Sequence, residues 1–403
     1  MAILNFFTLK RTTIILLGFL LIIIGSWGID LVVVQNMAMN DVMPRYVGCQ
    51  GFFRGDSPYS QKVDAEIDAF VRIGEKWGFS YPPHLCFVLL PIWLLPYEAS
   101  VSLWMLLNLL FFLAFPVLYG LVVLRWRLLP LQLLALTFSI VLGFRYTMMT
   151  ITLGQFTGFV LLCMVGAIWG LRNQRVWLTA FCLAGMTIRP DGGLIALGLC
   201  GIAFLIGQRR VIPIWVGLMA IIWLGTHVFI GNWELQFVNH LRDYADINRK
   251  TSWLPLDLGP AGAIVLTVGF LGWTAWIFIR IWKLLPDEPQ EFVLWASAMI
   301  ILPILVLFPQ TNPYTLVYAL PVFMLLAYVL RRSVFQASVW LLIASSWVFF
   351  LMGWWRVDQI FYPVVLALGV AWWLYTKQRR GRNLSVSPAS VLSKTLDEKA
   401  LSG

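Results

Sequence analysis

Residues 101 to 124 read VSLWMLLNLLFFLAFPVLYGLVVL. The stretch carries no charge, and at ~1.5 Å of rise per residue its helix is long enough to cross the roughly 30 Å hydrocarbon core of a bilayer. A helix is the expected spanning structure because it satisfies its own backbone hydrogen bonds in lipid. A second run of this kind, TTIILLGFLLIIIGSWGIDLVVV, covers residues 12 to 34. Around these runs the whole chain is 60% hydrophobic and only 12% charged, with a mean hydropathy of +0.82, far from the composition of soluble domains. The sequence is that of an all-α polytopic membrane protein.

Lys10 and Arg11 precede the first run as in a signal peptide. The run is longer than a signal core and lacks a small-residue cleavage site, so it is read as a retained first helix. The 21 Trp and 12 Tyr suit interfacial belts and buried packing alike. Five cysteines, Cys49, Cys86, Cys163, Cys182 and Cys200, show no CxxC or metal-ligand spacing, and three lie in apolar segments. A small apolar role is expected for them rather than a disulfide or a metal site.

The net charge of +10 does not indicate nucleic acid, because the basic residues sit in short loops between apolar runs, the positive-inside pattern. Those loops are LRWR (124 to 127), RNQR (172 to 175), QRR (208 to 210), RIWK (280 to 283), RR (331 to 332) and KQRRGR (377 to 382), all expected to be cytoplasmic. The intervening turns at 144 to 155, 187 to 193, 231 to 259, 308 to 314 and 353 to 361 are then extracytoplasmic. With cytoplasmic termini the count comes to about twelve crossings. Residues 81 to 96, YPPHLCFVLLPIWLLP, are short and broken by Pro82, Pro83, Pro91 and Pro96, which suggests a re-entrant element. The transmembrane domain is placed at residues 1 to 380, with a long first extracytoplasmic loop at 35 to 80. Residues 381 to 403, rich in Ser, read as a disordered cytoplasmic tail.

Polar and ionisable groups concentrate on the extracytoplasmic side, chiefly in residues 35 to 80 and 231 to 258. Beside a membrane cavity such groups are functional candidates. Asp41, just beyond the first run, suits a general base, and it also stands where an N-cap would precede a helix over Val42 to Phe53. Asp30, at the end of the first run, is the alternative base. Asp56 in GDSPY is expected to serve a turn. His84, Gln155, Asn312 and Tyr59 are candidates for hydrogen-bonding contact with a ligand. No His-x-Glu-x-x-His, P-loop or dinucleotide fingerprint occurs, and no metal ligand set is proposed.

Asp41, Tyr46, Gly48, Gly51 and Gly55, the turn Asp56, Pro58 and Tyr59, then Tyr81, Pro82, Pro83, Leu94, Leu95, Pro96 and Trp104 occur in an order that resembles glycosyltransferase family 87 of the GT-C superfamily. Gly154 and Gln155 match its L-G-Q turn, and Arg189 stands where family members usually carry Lys before Pro. Its late outward His has no counterpart here, where Asn312 and Tyr314 occur. The resemblance spans roughly residues 12 to 330. It implies a GT-C type bundle in the plasma membrane and inverting transfer of mannose or another sugar from a polyprenyl-phosphate donor to a lipid or glycan acceptor, with no separate cofactor. It also implies that Asp41 deprotonates the acceptor hydroxyl. A lipid-phosphate donor needs cations near its leaving group, and Arg189, Arg145, His240 and Arg242 are the candidates, with Arg249 and Lys250 nearby. The competing expectation is a polytopic transporter or a lipid-linked sugar flippase.

Overall fold

The computed structural model describes residues 41–70, 78–127, 130–248, 259–307, 313–330, 335–352 and 358–385. The apolar run at 12 to 34, Asp30, Arg249, Lys250, Asn312 and the chain beyond 385 lie outside the described residues. Among the described residues every regular element is helical.

The first loop supplies α1 (Val42–Phe53) and α2 (Gln61–Phe70). They pack through Val47, Val63 and Ile67, and Gly51 admits Val63 so closely that a Cβ there would meet its methyl at 2.7 Å. Arg54 pairs with Glu66 at 2.6 Å and with Asp56 at 3.5 Å, while Lys62 reaches Asp56 at 2.7 Å. Asp56 thus serves the turn and ties α2 to it. These exposed pairs add little stability each.

Residues 81 to 96 fold as two short helices, α3 (Leu85–Val88) and α4 (Leu90–Trp93). Each spans only ~6 Å, so neither crosses a bilayer. Such broken backbone survives at membrane depth only where protein re-satisfies it. Here Gln50 donates to the Trp93 carbonyl at 2.5 Å, Tyr46 to that of Leu95 at 3.0 Å, and Ser100 to that of Ile92 at 2.6 Å.

The segment is also tied covalently, because Cys49 and Cys86 form a disulfide across a Cα separation of 5.2 Å. This corrects the expectation that no cysteine is paired. The two residues are 37 apart in sequence, and packing of α1 on α3 creates a proximity that spacing does not encode. Cys163 and Cys182 are free and do play the small-residue part.

The bundle proper begins with α5 (Tyr97–Val117), extended by a π-turn over Leu118–Val123, and continues through α6 (Pro130–Val141), α7 (Arg145–Thr152), α8 (Thr157–Arg172), α9 (Val176–Met186), α10 (Pro190–Leu205) and α11 (Val211–Ile230). An amphipathic α12 (Glu234–Asn248) precedes α13 (Gly259–Trp282), α14 (Pro289–Leu307), a 3-10 turn at Pro313–Ala319, α15 (Leu320–Val329), α16 (Phe335–Leu351) and α17 (Asp358–Ser385). Helix α8 lies at the centre, against α5, α9, α10 and α14. Its contact with α9 runs over small residues, Gly166 facing Cys182 and Gly185 facing Cys163, as membrane helices favour.

Among the described residues four helices are long and apolar enough to span a bilayer, or five if the bent pair α7 and α8 forms one span. The remaining apolar helices of 10 to 17 residues are cut short by turns such as Thr187 to Arg189, between α9 and α10. On α11 and α13 the outward side chains are apolar, with Val228 76% and Val265 68% exposed, a surface suited to lipid. Helix α17 continues to Ser385, past the boundary expected at 380, and Lys377 on its last turns pairs with Glu288 and Glu291.

Candidate functional site

The turns at 144 to 155 and 187 to 193 meet the first loop around the bend between α7 and α8. These helices are inclined at 117°, and the turn between them needs Gly154. Its φ is +66°, and a Cβ would come within 2.2 Å of Val42, so no side chain fits there. The Gly154 carbonyl accepts hydrogen bonds from Arg45 Nη1 and from Trp104 Nε1, both at 2.6 Å. The turn thereby places Gln155 in the interior.

Asp41 immediately precedes α1, yet its carboxylate does not cap that helix. Gln155 Nε2 instead donates to Asp41 Oδ2. Among the described residues no donor reaches Oδ1, and Asp41 as a residue keeps partial exposure. Burial pushes the Asp41 carboxyl above its ordinary range, while Arg45, the Gln155 hydrogen bond and Arg189 pull it down.

Arg189 ends the turn before α10, and Pro190 occupies the first helical position. A residue before proline is driven to extended backbone, and Arg189 sits at φ −126°, ψ 140°. Its guanidinium forks onto Asp191 at 2.9 and 2.8 Å, and its Nη1 donates to Gln155 Oε1 at 2.9 Å and Thr157 Oγ1 at 3.0 Å. Tyr318 donates to Asp191 at 3.5 Å, and the Tyr314 ring lies 5.6 Å from the guanidinium carbon. The Arg45 guanidinium lies between the rings of Tyr81 and Phe156, at 4.5 and 4.7 Å, and donates to the Tyr81 hydroxyl. Arg45, Arg189 and Asp191 are each at most 6% exposed. With Asp41 ionised the two cations and two anions cancel, which makes burial of the set tolerable.

The sequence candidates divide accordingly. Asp41, Gln155 and Arg189 form one connected chain. Tyr59 joins it through its hydroxyl, which donates to the Tyr81 carbonyl at 2.5 Å. His84 lies one layer away, its Nε2 3.2 Å from Thr187 Oγ1; the Thr187 proton goes to the Ala184 carbonyl at 2.7 Å, so His84 is the donor. Burial lowers its imidazole to about 4, so the ring is neutral near pH 7. His240, on α12, faces the Tyr59 ring at 5.8 Å and covers Gly78. Arg242 is exposed on the same helix. Arg145 opens α7 and is buried, its N–H donating to Ser346 Oγ at 3.0 Å.

Asp191 and the hydroxyl of Tyr81 were not among the sequence candidates. Asp191 had a signal in the Arg-Pro-Asp run, since an acid in the first turn of a helix is favoured. Arg45 follows Asp41 by four residues, the spacing at which opposite charges meet on a helix. Among the described residues no group of three or more His, Cys, Asp or Glu is placed to hold a metal ion. Compared with protein-family models, curated proteins and solved structures, the chain matches none.

Proposed function

We propose that the chain is an inverting membrane glycosyltransferase using a polyprenyl-phosphate sugar, within a GT-C type bundle of about twelve crossings. The observation that carries this reading is Asp41, a carboxylate anchored through one oxygen, with the other open, beside apolar helices able to hold a lipid-linked donor. In the reaction the acceptor hydroxyl oxygen bonds to the anomeric carbon as its proton passes to Asp41. The bond from that carbon to the phosphate oxygen breaks, and its electron pair leaves with polyprenyl phosphate. Arg45 and Arg189 contribute fixed positive charge near the reacting groups, while His240, Arg242 and Arg145 remain candidates for phosphate contact.

Two features support an active site outside the plasma membrane with both termini cytoplasmic. The loop charges follow the positive-inside pattern, and a disulfide between α1 and α3 suits an oxidising compartment. The test is sugar transfer in proteoliposomes supplied with a panel of polyprenyl-phosphate sugars and membrane-lipid acceptors. Asp41→Asn should lower kcat/KM by about 10²- to 10⁴-fold, the usual contribution of a general base, in protein that remains folded. Full transfer by folded Asp41→Asn would sink the assignment.

One observation favours a transporter or flippase, namely the sharply bent pair α7 and α8, since discontinuous helices line substrate paths in transporters. Protein-dependent movement of a lipid-linked sugar between leaflets, with no new glycosidic bond, would establish that alternative.

A further inference from the structure

A glutamine amide can in general be turned end for end with little change in shape. At Gln155 the surroundings choose. Arg189 Nη1 lies 2.9 Å from Oε1, and the Tyr81 hydroxyl lies 3.0 Å from the same oxygen. Tyr81 already receives a hydrogen bond from Arg45, so its own proton is available to Gln155. Two donors converge on one end of the amide, and that end must be the oxygen. The NH2 end then faces Asp41 as a donor. Turning the amide over would set N–H against both donors and a carbonyl against a carboxylate.

The same geometry leaves Gln155 and Arg189 little capacity for substrate. Gln155 is 1% exposed and engaged at both ends. Arg189 has five N–H groups, of which four point to Asp191, Gln155 and Thr157. Asp191 is itself fixed, because its Oδ1 accepts the Gly192 N–H at 2.9 Å in the first turn of α10.

We propose that Gln155 is a positioning residue for Asp41, and that Asp191, through Arg189, sets the direction of the Gln155 amide so that Asp41 is held by Oδ2 and presents Oδ1 to the acceptor. The proposal rests on Asp41 being the base. It moves Gln155 and Arg189 from substrate contact to the support of that base. Among the described residues the charged and titratable groups around Asp41 are Arg45 on its own helix, Arg189 with its counter-ion Asp191 before and within α10, and Tyr81 ahead of α3. Gln155 is the neutral link among them.

Gln155→Glu tests it. Glutamate keeps the size of the side chain and still accepts from Arg189 and Tyr81, so a purely structural role tolerates it. It removes the hydrogen bond to Asp41 and places a like charge there, both of which disfavour the ionised carboxylate. The readout is the ionisation midpoint of Asp41, followed by the infrared carboxyl stretch of substrate-free protein in lipid nanodiscs. Aspartate is labelled with 13C on its side-chain carboxyl, and the Asp41→Asn spectrum is subtracted. The midpoint should rise by about one unit or more in Gln155→Glu. Gln155→Met, which removes the donor without adding charge, should raise it in the same direction and serves if the glutamate variant does not fold. An unchanged midpoint in a folded variant overturns the proposal. The measurement needs no sugar transfer, so a raised midpoint alongside full transfer by Asp41→Asn would keep the positioning role and reject only the base.

Discussion

Asp41 stands between two opposing influences, and their balance has a measurable consequence. Burial favours its neutral form; Arg45, the Gln155 hydrogen bond and Arg189 favour the charged one, and burial prevails. A general base acts only when ionised. With Asp41 as the proposed base, the raised carboxyl predicts that kcat/KM falls with acid along a limb whose midpoint lies above the ordinary aspartate value of about 3.9. The stability of the fold responds with the opposite sign, since an acid raised in the folded state favours folding at low pH and loses that contribution as pH rises through the folded value. A pH profile of transfer with an acid limb at or below the ordinary value would contradict this balance. The sequence identified Asp41 because a carboxylate just outside an apolar run is conspicuous. It did not reveal that the carboxylate turns away from the helix it precedes, because that depends on Gln155, 114 residues later. Gly154 shows the same limit, since its need for positive φ and for the approach of Val42 arises only when α7 and α8 bend around α1.

At the scale of elements, the prolines of residues 81 to 96 were enough to expect a broken segment, and α3 and α4 are short as a result. What holds the segment was not legible, because the bonds from Tyr46, Gln50 and Ser100 and the disulfide from Cys49 all come from neighbouring elements. The disulfide closes a loop of 37 residues, which in the chain-entropy account stabilises the fold by about 4 kcal/mol. The double variant Cys49→Ser, Cys86→Ser should accordingly lower the thermal midpoint of the purified protein. Reductant should lower that of the wild type and leave the double variant where it is. Equal midpoints for wild type and double variant under oxidising conditions would mean that packing of α1 on α3 suffices alone.

For the whole molecule, the contacts sort the loops onto two ends, and this sorting can be tested apart from any chemistry. At one end Asp41, Tyr81, Gln155 and Arg189 are bonded together, and α12 joins them where Ser57 donates to Gln236. At the other, Arg172 donates to the Val123 carbonyl, Arg125 reaches Asn173 at 3.5 Å and Gln208 donates to Leu171 at 2.5 Å. Three of the basic loops of the sequence, at 124 to 127, 172 to 175 and 208 to 210, are thus brought together, while the bend between α7 and α8 left no periodic trace in the sequence. If the basic end is cytoplasmic, a single cysteine at Gln61 should react with a membrane-impermeant maleimide on intact cells. One at Gln174 should react only after permeabilisation. Both positions are exposed, and Cys163, Cys182 and Cys200 are replaced by Ala while the disulfide is kept. The reverse pattern would put Asp41 and the Cys49–Cys86 disulfide on the reducing side of the membrane, where such a bond does not persist, and an extracytoplasmic transfer site would fall with it.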